Sequence, residues 1–448
     1  MKYFGTDGIR GRVGEPPITV DFILKLGWAA GSVLAEGNDD HPSVIIGKDT
    51  RISGYLFESA LEAGFSAAGV DVRLLGPMPT PAVAHLTRSL GGVAGVVISA
   101  SHNPYEDNGI KFFSGQGEKL DDALQVAIEE RMDEPLEQVA PHRLGKAMRI
   151  DDAVGRYIEY CKATVPYGTR FEGLKIVVDC ANGATYRIAP PVFRELGADV
   201  VAIHHTPDGL NINADCGSTH PQGLADAVVR EKADLGVAFD GDGDRVVLVD
   251  HTGQLIDGDQ ILFVLANARR ANGGLSGGVV GTVMSNFGLE EAFRGMGVSF
   301  ERSQVGDRFV HERLRERGWV LGGEASGHIL CLDRATTGCG IVSALQVLEV
   351  VARTRQSLAA LAAGMKKYPQ VMINVPVAGN ARDAISGNPS LDAAVREVEL
   401  ELNGRGRVIL RPSGTEPVVR VTVEGPESDL VRRLADQLAG AVTRAMDV

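Results

Sequence analysis

Short runs of β-branched residues that alternate with helical stretches are the feature that most constrains this fold. The run Val93–Ile98 leads into Asn103-Pro104, which is turn chemistry that ends a strand. Helical spacing begins near Thr19 and again near Ser53. Such alternation is typical of a largely parallel α/β sheet. It places Ser101 on a loop at the mouth of a sheet, where a hydroxyl can take part in chemistry.

Two neighbouring stretches carry basic residues that could face this loop. Asp107-Asn108-Gly109-Ile110-Lys111 indicates a turn that returns Lys111 towards Ser101. The glycines of Phe4–Gly11 indicate a turn with close backbone approach, and Arg10 is carried on it. A simpler interpretation is that Ser101 only caps a backbone amide in a turn. Three stretches further along the chain favour chemistry instead.

The first of these stretches places Asp240, Asp242 and Asp244 between two predicted strands, Leu235–Phe239 and Val246–Val249. Three carboxylates this close repel each other unless a cation lies among them, and oxygen ligands favour Mg²⁺ or Ca²⁺. An EF-hand requires Gly at the sixth loop position and Glu at the twelfth, which are Arg245 and His251 here, so an EF-hand is excluded. A solvated acidic turn is the alternative.

The other two stretches offer groups that bind phosphate and sugar. Arg411–Pro417, followed by Arg420, combines small residues, hydroxyls and guanidinium groups, which are the parts of a phosphate nest. A β-turn between strands is the alternative there. Gly323–His328 supplies a carboxylate, a hydroxyl and an imidazole on a glycine-rich loop, which suits sugar hydroxyls. Phosphoryl transfer from a phosphorylated Ser101 is the chemistry that these groups favour together.

The length of 448 residues allows about three or four domains. Three α/β units of similar size are predicted at 1–150, 151–257 and 258–368. The remainder, 369–448, has alternating strands and an amphipathic helix after Ser428, which indicates a small α+β domain.

Composition excludes several classes of protein. The net charge of −13 argues against nucleic acid as a partner, because phosphate neutralisation needs a basic surface. Five cysteines without a CxxC pair favour a reducing cytosol, and no run is apolar enough for a membrane span or a leader. We therefore expect a cytoplasmic protein without nucleic-acid or membrane partners. No Walker motif occurs, and no G-x-S-x-G elbow surrounds Ser101.

The chain resembles the α-D-phosphohexomutases over its full length. The resemblance implies three similar mixed α/β domains and a smaller C-terminal α+β domain around a central active-site cleft. It also implies interconversion of glucosamine 6-phosphate and glucosamine 1-phosphate through a phosphoserine enzyme and a 1,6-bisphosphate, on the route to UDP-N-acetylglucosamine and the cell wall. The motifs that carry the resemblance are Gly5–Gly11, Ser99–Pro104, Asp240–Arg245, Gly323–His328 and Arg411–Pro417.

The resemblance assigns roles to residues within these motifs and to Lys111 and Arg420, which follow two of them. Ser101 would be the phosphoserine and would ligate one Mg²⁺ per chain together with Asp240, Asp242 and Asp244. Glucosamine or glucose 1,6-bisphosphate would be the activator. The catalytic residues would be Ser101, His102, Lys111 and Arg10, of which the last three would serve proton transfer and charge stabilisation. Substrate contacts would come from Arg245, Glu324, Ser326, His328, Arg411, Ser413, Gly414, Thr415 and Arg420.

One position departs from the family pattern, since Cys339 stands where an acidic residue is usual. Ala325 in the sugar loop favours the glucosamine branch of the family. A phosphomannomutase or phosphoglucomutase of the same family, a Mg²⁺-dependent sugar phosphate phosphohydrolase and a non-catalytic sugar-phosphate sensor are the alternatives. Relatives in the family suggest a homodimer.

Overall fold

The computed structural model describes residues 2–5, 7–36, 42–377, 388–412 and 418–446. Contacts divide the chain into two compact units. One comprises Met1–Thr282 with Ser303–Ala362, and the other comprises Val283–Arg302 with Ala363–Val448. Within the described residues, no helix combines the length and the apolar character needed to cross a membrane.

The first sheet is mixed rather than largely parallel. Its strands are β1 (Ile9–Arg12), β2 (Ser43–Lys48), β3 (Asp71–Pro77), β4 (Ala94–Ile98), β5 (Asp107–Ser114) and β6 (Ala147–Arg149). They lie in the order β1-β5-β4-β2-β3-β6, in which β5 runs antiparallel to both of its neighbours. The helices that accompany the sheet are α1 (Val20–Ala35), α2 (Ser53–Ala67), α3 (Thr80–Ser89) and α4 (Asp122–Met132).

Two local predictions in this sheet are wrong. The stretch from Asp107 to Lys111 is the start of β5 and not a turn. Gly109 is needed there for close approach, because a Cβ atom would lie 2.8 Å from the carbonyl oxygens of both Ile9 and Ser99. Ser53 is the first helical residue of α2, and Ile52 is the N-cap. The Ser53 hydroxyl accepts a hydrogen bond from Asn108 Nδ2 instead (2.8 Å).

The second sheet presents the acidic loop. Its strands are β7 (Lys175–Asp179), β8 (Asp199–Ile203), β9 (Leu235–Phe239), β10 (Val246–Asp250) and β11 (Leu255–Ile256), in the order β11-β10-β9-β7-β8. The strands predicted on both sides of the acidic loop are confirmed as β9 and β10, which pair antiparallel. The helices of this region are α5 (Ala153–Ala163), α6 (Ala189–Glu195) and α7 (Gln222–Glu231).

The third region carries the predicted sugar loop between two short strands. Its strands are β12 (Val279–Thr282), β13 (Phe300–Ser303), β14 (Leu321–Gly323) and β15 (Ile329–Cys331). β14 pairs parallel to β12 and antiparallel to β15, so the loop between β14 and β15 is a hairpin connection. The helices in this part of the chain are α8 (Gly258–Ala271), α9 (Phe287–Met296), α10 (Asp307–Arg317), α11 (Gly340–Thr354) and α12 (Leu358–Ala362).

The C-terminal region is a small antiparallel α+β fold. Its strands are β16 (Gln370–Pro376), β17 (Arg407–Pro412) and β18 (Val418–Glu424), in the order β16-β18-β17. Its helices are α13 (Pro389–Leu402) and α14 (Ser428–Met446). The predicted apolar stripe of α14 is confirmed, because Leu434, Leu438 and Val442 are buried against the sheet core.

The packing of α1 on α2 gives a test of this fold. A Cβ atom on Gly64 would lie 2.3 Å from the Leu24 carbonyl oxygen and 2.7 Å from the Trp28 amide nitrogen. Gly64→Ala should therefore lower the free energy of unfolding by about 1–3 kcal/mol, because the helices must move apart. Gly155→Ala is the matched control, since Gly155 is helical and has open space around its Cα. It should stabilise by about 0.5–1 kcal/mol.

Differential scanning calorimetry would measure both variants against the parent chain. Equal shifts in the Tm of the two variants would contradict this packing of α1 against α2.

Candidate active site

Ser101 lies at the end of β4 in a strained, buried loop. Its φ of 52° is in the left-handed region, and its side chain is almost inaccessible to solvent. The Ser101 hydroxyl donates to Asp240 Oδ2 at 2.6 Å, and the Ser101 amide donates to Ser99 Oγ at 2.9 Å. Strain of this kind, held by surrounding contacts, is typical of functional sites.

Arg51 holds this loop and was not found from the sequence. It is fully buried, and Asp49 accepts a hydrogen bond from its Nε at 2.8 Å. Its Nη atoms donate to four carbonyl oxygens of the loop and the start of β5, at residues 101, 103, 104 and 107. Asn213 Nδ2 also donates to the Ser101 carbonyl, at 2.9 Å. The planar guanidinium thus fixes the backbone that carries the hydroxyl.

The three aspartates of the loop between β9 and β10 come together, as predicted. Their exposed fractions are 0% for Asp240, 0% for Asp242 and 6% for Asp244, and one oxygen of each lies within 4.8 Å of the others. Gly241 allows this loop to approach the Ser101 loop, since a Cβ atom there would be 2.7 Å from the Ser101 carbonyl oxygen.

Lys111 supplies the central positive charge among these carboxylates. Its Nζ lies 2.8 Å from Asp242, 3.1 Å from Asp7 and 3.4 Å from Asp244. Lys111 stands opposite Val97 in the ladder of β4 and β5, so the sheet delivers it beside the Ser101 loop. Its predicted proximity to Ser101 is confirmed, although a strand and not a turn brings it there.

The carboxylates respond differently to this environment. Burial and the charges of Asp244 and Asp242 raise the pKa of Asp240 well above its ordinary value. Burial also acts to raise the pKa of Asp244, but Lys111 and His328 outweigh it and hold that pKa below its ordinary value. One lysine is therefore not enough to neutralise the aspartates.

His102 and Arg245 form a hydrogen-bonded pair beside the Ser101 hydroxyl. Arg245 Nη1 lies 3.1 Å from His102 Nδ1, and His102 Nδ1 lies 3.4 Å from the Ser101 hydroxyl. Burial, with the guanidinium charges of Arg245 and Arg10, lowers the pKa of His102 to about 4. The imidazole is accordingly neutral at pH 7, and Arg245 provides the charge.

A cavity of about 440 Å³ joins the predicted sugar loop to the acidic loop. Arg10, Asp244, Arg245, Glu324 and His328 all line it. The sequence had placed these residues in three separate domains, and the structure brings them to one cavity. Ser326, the third predicted residue of the sugar loop, is exposed and does not line it.

His328 is the most tightly held residue of the sugar loop. Its Nδ1 lies 3.6 Å from Asp244 and its Nε2 lies 3.6 Å from Asp307. Burial acts to lower the pKa of His328, but these carboxylates outweigh it and raise the pKa to about 9. Glu324 accepts a hydrogen bond from the Gly306 amide at 2.9 Å.

Three residues at this cavity and its rim were missed. Lys119 Nζ bridges Asp7 (2.8 Å) and Asp307 (2.7 Å), so it ties the N-terminal turn to the start of α10. Asp7 lies inside the Gly5–Gly11 motif, which was a signal for it. Neither Lys119 nor Asp307 lies in a recognisable motif, and their pairing joins residues far apart in sequence.

The predicted phosphate loop lies in the C-terminal unit. Arg411 and Arg420 are directly opposite each other on β17 and β18. Burial and the charge of Arg420 lower the pKa of Arg411. Like charges facing each other across strands destabilise a sheet, so this pair is suited to an anion. Ser413, Gly414 and Thr415 lie outside the described residues.

The acidic cluster meets the requirements of a hard divalent cation. Asp242 Oδ1 is buried and accepts no hydrogen bond among the described residues, whereas Asp244 Oδ1 faces His328 Nδ1 at 3.6 Å. An orphaned buried carboxylate oxygen is costly, and a cation removes that cost. All the donors are oxygens, which is the ligand set of Mg²⁺ and Ca²⁺. Ser101 Oγ, 2.6 Å from Asp240 Oδ2, and Thr80 Oγ1, 2.6 Å from Asp242 Oδ2, are additional oxygens beside the cluster.

Four profiles of one protein family match successive parts of the chain. They are described as phosphoglucomutase/phosphomannomutase alpha/beta/alpha domain I at residues 1–138, domain II at 155–253 and domain III at 257–368, and the C-terminal domain at 372–441.

Full-length relatives carry a more specific name. The chain is 62% identical to a phosphoglucosamine mutase of Alkalilimnicola ehrlichii, covering 99% of this chain and 98% of the relative. It is 60% identical to a phosphoglucosamine mutase of Thioalkalivibrio sulfidiphilus, covering 100% and 99%. Among solved structures, a phosphoglucomutase/phosphomannomutase family protein from Burkholderia thailandensis is similar, with a TM-score of 0.80, 26% identity and coverage of 98% and 97%.

The acidic cluster gives a direct binding prediction. Asp242→Asn should weaken divalent-cation binding by at least about tenfold, because one charged oxygen ligand is lost. Isothermal titration with Mg²⁺ would measure the change. Asp226→Asn, at an exposed position on α7, is the matched control and should leave the affinity unaltered. Equal affinity in the Asp242→Asn variant and the parent chain would contradict a cation site at this cluster.

Proposed function

The chain belongs to the phosphoglucomutase/phosphomannomutase family, and from this premise we propose that it interconverts glucosamine 6-phosphate and glucosamine 1-phosphate. The observation that carries the proposal is the position of the Ser101 hydroxyl, 2.6 Å from a buried three-aspartate cluster. The choice of glucosamine is supported by full-length relatives named phosphoglucosamine mutase. We further propose a cytoplasmic enzyme that feeds synthesis of UDP-N-acetylglucosamine.

Ser101 carries the phosphoryl group between the two halves of the reaction. Phosphoserine gives its phosphoryl group to a sugar hydroxyl; the phosphorus–oxygen bond to Ser101 breaks and one to the sugar forms. The product is a 1,6-bisphosphate, which turns over and returns its other phosphoryl group to Ser101. Arg51 and Asn213 support these transfers by holding the loop backbone, since small displacements of a reacting atom are costly in rate.

Lys111, Arg10 and Arg245 stabilise the charge that spreads over the phosphoryl oxygens during transfer. Lys111 is buried against Asp242, and Arg10 and Arg245 line the adjacent cavity. Because they are fixed before the reaction, they need little reorganisation. His102 contacts both the Ser101 hydroxyl and the Arg245 guanidinium, and it orients these two groups.

The residues that would hold Mg²⁺ are Ser101, Asp240, Asp242 and Asp244, with one ion per chain. When bound, the ion would neutralise charge on the phosphoryl oxygens. The orphaned Asp242 Oδ1 and the raised pKa of Asp240 support this ligand set. Glucosamine or glucose 1,6-bisphosphate is the proposed activator, because it can phosphorylate Ser101 without loss of sugar phosphate.

The remaining predicted residues recognise the sugar and the phosphate that does not react. Glu324 and His328 line the cavity and contact sugar hydroxyls, together with Ser326 on the same loop. In the C-terminal unit, Arg411 and Arg420 bind phosphate with Ser413, Gly414 and Thr415. The facing guanidinium groups on β17 and β18 support that role.

The domain boundaries stay proposals at 1–150, 151–257, 258–368 and 369–448. The first contains β6, whose pairing with β3 keeps residues 147–149 in the first sheet. A homodimer likewise stays a prediction.

Phosphorus NMR tests the proposed reaction. Purified protein, Mg²⁺, glucosamine 6-phosphate and a trace of glucose 1,6-bisphosphate should yield glucosamine 1-phosphate at constant total sugar phosphate. Ser101→Ala should lower the rate by at least about a thousandfold, because no other group carries the phosphoryl between the half-reactions. Ser89→Ala, at an exposed position on α3, is the matched control and should behave as the parent chain does.

The other outcomes of this experiment are informative. Rising inorganic phosphate would indicate a phosphohydrolase. Faster turnover of glucose or mannose phosphates would indicate another mutase of the family. Near-normal turnover by the Ser101→Ala variant would contradict the phosphoserine mechanism.

Arg411→Ala tests the proposed phosphate contact. The variant should raise KM for glucosamine 6-phosphate by about tenfold or more, since a guanidinium–phosphate contact is removed. Steady-state kinetics would measure KM and kcat. Arg432→Ala, at an exposed position on α14 of the same unit, is the control. An unchanged KM in the Arg411→Ala variant would exclude Arg411 from substrate binding.

A further inference from the structure

A second polar cluster lies at the end of the second sheet and combines three kinds of ligand atom. Asp179, His204 and Cys216 contribute a carboxylate oxygen, an imidazole nitrogen and a thiol sulfur, and these atoms lie within 4.8 Å of one another. Asp179 Oδ2 and His204 Nδ1 are 3.0 Å apart. The three aspartates of the acidic loop form a separate group, so this cluster is not part of the site described above.

The ends of three neighbouring strands bring the cluster together. Asp179 is the last residue of β7, and His204 directly follows β8, which pairs parallel to β7. The segment that carries Cys216 is anchored at the end of β9, the other parallel neighbour of β7, because the Ser218 amide donates to the Phe239 carbonyl at 2.8 Å. Ligands of open α/β sheets bind at such carboxyl ends of parallel strands.

Two backbone amides hold the Asp179 carboxylate in place. Its Oδ1 accepts a hydrogen bond from the Ala181 amide at 2.8 Å, and its Oδ2 accepts one from the Gly217 amide at 3.0 Å. Gly217 is needed for this approach, since its φ is 74° and a Cβ atom would lie 2.6 Å from the Phe239 carbonyl oxygen. Hydrogen bonds of this kind orient the ligands of metal sites.

The burial of the cluster favours a cation. Asp179 and Cys216 are fully buried, whereas the His204 side chain is 36% exposed. Among the described residues, His204 is the only basic side chain in contact with the Asp179 carboxylate. A buried carboxylate is costly without close positive charge. A divalent cation would supply that charge to the carboxylate and to a Cys216 thiolate at once.

We propose that Asp179, His204 and Cys216 form a binding site for a thiophilic divalent cation such as Zn²⁺, separate from the proposed Mg²⁺ site. Zn²⁺ binds thiolate sulfur, imidazole nitrogen and carboxylate oxygen in proteins, whereas Mg²⁺ and Ca²⁺ take oxygen ligands. On binding, the Cys216 thiol loses its proton to solvent and its sulfur donates an electron pair to the ion. Three protein ligands leave one tetrahedral position for water, which can reach the exposed side of His204.

The ion would brace the segment that supports the Ser101 loop. The chain between His204 and Cys216 carries Asn213, whose Nδ2 donates to the carbonyls of Ser101 and Asn103 at 2.9 and 3.0 Å. A metal that joins both ends of this segment lowers the conformational entropy of the unfolded chain. Zn²⁺ should therefore raise the Tm of the parent chain, as measured by differential scanning calorimetry, and should not raise that of the Cys216→Ser variant. An equal effect on both chains would contradict the brace.

Absorption spectroscopy with Co²⁺ tests the ligand set directly. A bond between Co²⁺ and a thiolate gives a charge-transfer band in the near ultraviolet, which oxygen ligands do not give. The full-length protein, reduced with a phosphine, should develop this band on titration with Co²⁺, and Zn²⁺ should remove it by binding more tightly. Cys216→Ser should abolish the band, and Cys331→Ser, at another buried free thiol, should retain it. Absence of the band from the parent chain, or an undiminished band in the Cys216→Ser variant, would overturn the proposal.

His204→Asn tests the imidazole ligand at a half-exposed position. Asn tolerates the left-handed φ of 45° at this residue, so the backbone should be kept. Contacts that only support a ligand are worth about 10–100-fold in metal affinity, so loss of the imidazole should weaken Co²⁺ binding by at least about tenfold. His251→Asn, in an exposed turn after β10, is the matched control and should bind as the parent chain does. Unchanged affinity in the His204→Asn variant would overturn this ligand set.

Asp242→Asn separates this site from the proposed Mg²⁺ site. The variant should keep the charge-transfer band at the parent's Co²⁺ affinity, because Asp242 belongs to the other group of carboxylates. Loss of the band in this variant would overturn the assignment of two separate sites. A parent chain that forms the band but lacks mutase activity would count against the proposed function alone.

Discussion

Neutralisation of buried negative charge is the constraint on which the site depends. Asp240, Asp242 and Asp244 lie in the interior beside Asp7, and Lys111 is the lysine in direct contact with three of these four carboxylates. Burying unpaired carboxylates is expensive, and the raised pKa of Asp240 indicates that the surrounding cations leave its charge uncompensated. This imbalance makes a cation, and the phosphoryl oxygens that accompany it, favourable at this position. The same charges keep His328 protonated and Asp244 ionised.

The strand order and register of the first two sheets bring these charges together. β5 lies between β1 and β4 in the first sheet. Its register with β4 places Lys111 opposite Val97, and its register with β1 places Gly109 opposite Arg10. The hairpin of β9 and β10 brings the aspartates to Ser101, and Gly241 permits the contact. Arg51, in the connection between β2 and α2, fixes the Ser101 loop. Each of these strands and loops contributes only one or two polar groups to the site. The site therefore forms only when all of these segments are folded together.

The sequence predicted the fold class and most of the site because each depends on local patterns. β-branched runs identified β4 and β10, a short apolar run identified β9, and acidic or glycine-rich spacing identified their loops. Asp107–Lys111 was misjudged because Asn-Gly, usually a turn signal, serves here to let two strands approach. The Ser53 hydroxyl is suited to an N-cap, which is why the sequence predicts one there. In the structure this hydroxyl accepts a hydrogen bond from Asn108 Nδ2 instead.

Contacts between distant residues carried no local signal. Arg51 clamps a loop fifty residues away, and Lys119 bridges Asp7 and Asp307 across most of the chain. Cys339 departs from the family pattern in the sequence, but its contact with the Tyr157 hydroxyl is visible only in the three-dimensional structure. The hydroxyl residues Ser413 and Thr415 of the phosphate loop lie outside the described residues, so their predicted contacts stay predictions.

Transfer of a label in a single turnover tests directly whether Ser101 carries the phosphoryl group between sugar phosphates. The enzyme would be phosphorylated with ³²P-labelled glucose 1,6-bisphosphate, desalted, and mixed with excess unlabelled glucosamine 6-phosphate and Mg²⁺. If Ser101 carries the phosphoryl group, the label should leave Ser101 and appear in glucosamine phosphates and their bisphosphate. Label that stays on the protein, or that appears as inorganic phosphate, would contradict a mutase that works through Ser101.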